Sequence, residues 1–123
     1  MADRFRPDHI AEALAQAWSI ETSSQWRADN PAQGQCNVTA LVVTELFGGA
    51  ILKTALPEGD HFYNLIGGRR YDFTASQFDV PIAYADVPSD RADALGGTTP
   101  GKCETFKSAF RRALEASSTE TDE

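Results

Sequence analysis

In GQCNVTALVV, residues 34–43, a single cysteine stands where a polar stretch gives way to an apolar run. The run reads as a buried helix, which puts Cys36 in its first turn. There the backbone N–H groups are unpaired and the potential is positive, and both favour a thiolate. The thiolate is the nucleophilic form of cysteine, and an ordinary thiol pKa of ~8.5 leaves little of it at neutral pH. The chemistry that suits such a position is attack on an acyl carbon. The Cys36 backbone N–H would then face the developing oxyanion.

Such a nucleophile needs a base and a group to orient that base. Of the two histidines, His9 falls in the first turn of a predicted N-terminal helix, whereas His61 starts an apolar-rich strand. Gly67-Gly68 separates this strand from the next, RRYDFTA (69–75), and two glycines between two such runs predict a tight hairpin. Symmetric pairing across the turn sets Asp72 opposite Tyr63 and His61 opposite Thr74. His61 and Asp72 are then diagonal neighbours on one face, close enough for a hydrogen bond. If the helix led by Cys36 packs on that face, thiol, imidazole and carboxylate converge. The carboxylate would fix the imidazole's tautomer, and an imidazolium would favour the thiolate.

The remaining elements are those needed to bring these residues together. Ile10, Leu14, Ala17 and Trp18 recur at helical spacing over 7–18, with Pro7 suited to the first turn. Residues 19–35 read as a structured loop, and Gly48-Gly49 ends the second helix. Strands are predicted over 50–56, 60–66 and 69–75, with a further one over 82–87, and 88–101 as loop. Thr99-Pro100 opens a last helix whose apolar face carries Cys103, Phe106, Phe110 and Leu114, making Cys103 a core residue. The expected architecture is α+β, with helices packed on a small antiparallel sheet in a single domain over 1–116. Residues 117–123 form an acidic disordered tail.

Composition narrows the partners. With 123 residues, a net charge of −7 and a pI near 4.7, the chain lacks the positive footprint of a nucleic-acid binder. No apolar run approaches the ~20 residues of a membrane span, and no signal peptide opens the chain. Two cysteines make no disulfide framework, so a reducing cytoplasm is the expected setting. Cys36, His61 and Asp72 have zinc-ligating types, but the sequence holds no close-spaced ligand pair, so neither metal nor cofactor is expected. P-loop, dinucleotide and GxSxG signatures are missing as well. Nothing in the sequence specifies an oligomeric state.

Cysteine at a helix start, then histidine and aspartate on successive antiparallel strands, resembles the papain-like and transglutaminase-like cysteine hydrolases. More closely, DNPAQGQCNVTALVVTELFGGAIL with HFYN and YDFTASQF, spanning 29–78, resembles the YunG-type family of small bacterial proteins. The papain-like resemblance implies Cys36 as nucleophile, His61 as base and Asp72 as orienter. It also implies an amide in the oxyanion hole, for which Asn30 is the candidate. Asn64 would support the site or satisfy backbone. The implied activity is hydrolysis or transfer of a small amide or peptide end. Singly, each residue has a structural rival: a core cysteine, a satisfied histidine, a turn carboxylate. The cluster has one too, a non-catalytic papain-like module that binds a peptide or small ligand.

Overall fold

The computed structural model describes the backbone of residues 5–121 and the side chains of residues 5–116. Helix α1, Pro7–Ala17, begins on Pro7, and buries Ile10, Ala13, Leu14 and Ala17. Helix α2, Cys36–Phe47, is buried along its centre from Val38 to Val43, as expected of a helix covered on several sides. Strands β1 (Ala50–Leu56), β2 (Gly59–Ile66) and β3 (Arg69–Tyr71) follow, then a 3₁₀ turn at Ala75–Gln77. The chain closes with β4 (Val87–Ser89), the short helix α3 (Arg91–Leu95) and α4 (Pro100–Thr121). The α+β architecture matches the expectation.

Two apolar clusters flank α2. Val38, Val42 and Val43 join Ile10 and Leu14 of α1 and Phe106 and Phe110 of α4. Ala40 and Leu41 pack instead against Ile51, Phe62 and Ala94. Cys103 is half-buried and touches both clusters, so it lies at the core as predicted.

All strand pairs are antiparallel, in the order β3-β2-β1-β4. Asn64 pairs with Tyr71, Leu65 with Arg70 and Ile66 with Arg69, the register that symmetric pairing predicts. The turn requires it: Gly67 and Gly68 have φ of 61° and 78°, a left-handed pair that fits a two-residue hairpin.

Three boundaries differ from the sequence expectation. β3 stops at Tyr71 rather than 75, because Asp72 Oδ1 accepts from the Thr74 backbone N–H and hydroxyl and bends the chain. The strand predicted over 82–87 is a strap over 82–86. Its Ala85 and Asp86 N–H groups donate to Thr54 Oγ1 and the Tyr63 hydroxyl, and pairing with β1 begins only at Val87. The predicted loop 88–101 contains α3, capped by Asp90, whose carboxylate accepts from Asp93 N–H at 2.8 Å. The expected tail, 117–123, falls where side chains lie outside the described residues, and the α4 backbone is helical to Thr121.

Candidate active site

Cys36 is the first residue of α2, and Gln35 before it caps the helix with no side-chain hydrogen bond. Gln35 is held elsewhere. Fully buried, it accepts from the Thr22 hydroxyl at 2.8 Å and donates to the Ser19 carbonyl at 3.3 Å, which ties the 19–35 loop to the helix start. Trp18 Nε1 donates to Thr39 Oγ1 at 2.9 Å and pins the same end of α2. The first-turn N–H groups of α2 thus receive no side-chain cap from Gln35.

The sequence reading makes convergence conditional on α2 packing on the sheet face that bears His61 and Asp72. The helix docks on the other face. Asn64 Nδ2 donates to the Ala40 carbonyl at 3.1 Å and to Thr44 Oγ1 at 2.9 Å, and Phe62 packs on Ala40 and Leu41. Strand alternation then puts His61 and Tyr63 on the opposite face, under the 82–86 strap. Because β3 pairs only with Asn64–Ile66, β2 has an open edge at His61. No strand separates the imidazole from the start of α2 there.

His61 and Asp72 form a buried pair. The imidazole Nε2 lies 2.8 Å from Asp72 Oδ2, with side chains 3% and 4% exposed. Phe78 closes over the ring edge-on at 4.8 Å between centroids. With Nε2 engaged by Asp72, Nδ1 is the nitrogen left for Cys36. Burial opposes the imidazole's charge, but hydrogen bonds to Asp72 and to Cys36 outweigh it and raise its pKa to about 9. The thiol has a second partner, Asn37 Oδ1, which accepts from Sγ at 3.4 Å. Asn37 Nδ2 donates to the Ala94 carbonyl at 2.7 Å, so the amide oxygen is the end turned to the sulfur.

The other expected residues play separable parts. Asn64 fastens α2 to the sheet, as described. Asn30 donates through Nδ2 to Gln33 Oε1 and to the Gln77 carbonyl, both at 3.2 Å. With Arg27, Asp29, Gln33, Ser76, Gln77 and Asp79 it lines an open polar depression. Sequence reasoning missed Tyr84, whose hydroxyl donates to Asp72 Oδ2 at 2.7 Å. Tyr84 sits in an irregular segment between prolines, where no periodicity marks a facing side. Asn37, the neighbour of Cys36, was also missed.

An α+β protein with a cysteine-headed buried helix and a buried His–Asp pair at a sheet edge is the class these features define. Among the described residues, no helix is long and apolar enough to cross a membrane. The chain belongs to the YunG protein family, whose pattern matches residues 6–115. It is 44% identical over 114 residues to the Bacillus subtilis (strain 168) protein named "Uncharacterized protein YunG", covering 93% of this chain and 99% of that one. No solved structure matches the chain.

Proposed function

We propose that the protein is a cysteine-dependent acyl-transfer enzyme of papain-like design, acting as a hydrolase or amidase on a small amide or an exposed peptide end. The observation that carries this reading is the buried His61–Asp72 bond of 2.8 Å, which leaves Nδ1 for a thiol at a helix N-terminus. Chain order supports the papain-like comparison: cysteine on the helix, then histidine on β2 and aspartate just past the end of β3.

In this scheme the Cys36 thiolate attacks the acyl carbon, and the carbonyl π electrons move onto oxygen. The N–H groups of the first turn of α2 stabilise that oxyanion. His61, carrying its proton on Nδ1, gives it to the leaving amine as the C–N bond breaks. A thioester to Cys36 remains. Neutral His61 then takes a proton from water as hydroxide adds to the thioester carbon. The tetrahedral intermediate collapses with cleavage of the C–S bond, which releases the acid and restores the Cys36 thiolate beside protonated His61. Asp72 holds the ring in orientation and stays ionised throughout. Acid–base catalysis of this kind contributes on the order of 10²–10⁴ in rate.

A binding module without chemistry is the second reading. The Cys36–Asn37 hydrogen bond favours it, because it directs the thiol proton away from the imidazole. Trapping separates the two. An enzyme should yield a covalent adduct at Cys36 from a panel of amide, peptide and thioester acyl donors, with the acyl group identified by mass. Ligand retention without any adduct, in a panel that labels papain, would favour the binding module.

A further inference from the structure

We infer that Tyr84 is a positioning residue of the Cys36–His61–Asp72 cluster, locked in place by Arg70 and Asp86. This rests on the function proposed above and adds a member to the same site.

The Tyr84 hydroxyl and His61 Nε2 donate to the same oxygen, Asp72 Oδ2, at 2.7 and 2.8 Å. The other oxygen, Oδ1, accepts from Thr74 N–H and Oγ1 at 3.2 and 3.3 Å. With donors on both oxygens the carboxylate cannot rotate without breaking a bond, so its lone pairs stay aimed at the imidazole. Tyr84 keeps its proton to do this: burial and the neighbouring Asp72 carboxylate push its pKa well above the usual tyrosine value.

The strap that carries Tyr84 is fastened at several points. The Arg70 guanidinium lies 4.2 Å from the Tyr84 ring centroid and grips the Asp86 carboxylate in a fork, at 2.8 and 2.6 Å. Asp86 adopts φ of 54°, which turns its N–H onto the Tyr63 hydroxyl at 2.9 Å. Tyr63 packs edge-on against the Tyr84 ring, with centroids 5.1 Å apart. Three side chains, Arg70, Asp86 and Tyr63, therefore converge on the placement of one hydroxyl.

Tyr84→Phe tests this, because it removes the O–H while keeping the ring on which Arg70 and Tyr63 pack. Two readouts respond to positioning and not to packing: the His61 titration midpoint by NMR, and the pH profile of Cys36 alkylation per folded molecule. The expected result is a midpoint lowered from about 9 by roughly half a unit to one unit. Alkylation at pH 6 should slow roughly three- to tenfold. An unchanged midpoint and profile with only a lower melting temperature would overturn the inference, as would a midpoint that rises. If Tyr84→Phe does not fold, Arg70→Gln loosens the strap from its exposed side and should move both readouts the same way by less; no movement there also overturns it. The His61 midpoint is readable whether or not Cys36 turns anything over. Failure of the enzyme reading shows separately, as wild-type Cys36 reacting no faster than Cys103.

Discussion

The proton on His61 is the most informative single feature of the molecule. A ring this buried should give up its charge, yet hydrogen bonds to Asp72 and Cys36 raise its pKa from 6.5 to about 9. The stabilisation is fully present below pH 6.5 and is lost as pH rises through about 9, since over that interval the folded state holds a proton the unfolded state has released. Urea unfolding of wild type should therefore lose stability across this interval with a slope that His61→Ala lacks; parallel curves would contradict the assignment. Cys36→Ala removes one of the two partners, so the His61 NMR midpoint should fall from about 9 toward 6.5. Burial pushes the Cys103 thiol up, and no imidazolium lies among the groups acting on it. Iodoacetamide at pH 6 with peptide mapping should label Cys36 first, and equal labelling would remove the physical reason for naming it the nucleophile. At this scale the proximity of His61 and Asp72 was legible from the Gly-Gly turn, although the predicted pairs Asp72–Tyr63 and His61–Thr74 do not form because Asp72 lies one residue past the end of β3. Tyr84 was not, because its role arises from a strap without period, whose N–H groups are satisfied by Thr54 and Tyr63.

Among the elements, the β2–β3 register was legible from the turn alone, while the face on which α2 packs was not. His61, Phe62, Tyr63 and Asn64 are all buried, so β2 has no polar side to mark as outward. A polar residue, Asn64, makes the contact that decides it. Asn64→Ala should cost about 1–3 kcal/mol in chemical denaturation, because Thr44 Oγ1 and the Ala40 carbonyl lose a buried donor; a loss below ~0.5 kcal/mol would mean that α2 is held by apolar packing alone. The approach to Cys36 depends on Gly34 in a similar way. Its φ is +76°, and a Cβ there would meet Ser23 Oγ at 2.5 Å and Gln25 Cβ at 2.7 Å. Gly34→Ala should destabilise by more than ~1 kcal/mol, read from the same denaturation curves; wild-type stability would show that the 19–35 loop yields without cost. The early end of β3 and the capped α3 escaped notice because single carboxylates, Asp72 and Asp90, set them locally.

In the whole molecule, one sheet is covered differently on its two sides. Helices α2 and α3 pack on the Phe62 face with Cys103 of α4 beside them, α1 and α4 build a second cluster with α2, and the 82–86 strap covers the His61 face. The candidate site draws Cys36 from the helical side, His61 and Asp72 from the β2–β3 hairpin itself, and Tyr84 from the strap, so its four residues come together only when α2 and the strap are both docked on the sheet. A cluster drawn from helix, sheet and strap also stabilises the fold, and reactivity distinguishes catalysis from that structural role. The most direct measurement takes wild type, His61→Ala and Asp72→Asn, and records for each the melting temperature and the Cys36 alkylation rate per folded molecule. The proposed enzyme predicts folded mutants with a large loss of reactivity in His61→Ala and a smaller one in Asp72→Asn, where tautomer and orientation suffer but the imidazole remains. Lower melting temperatures with alkylation rates equal to wild type would contradict it.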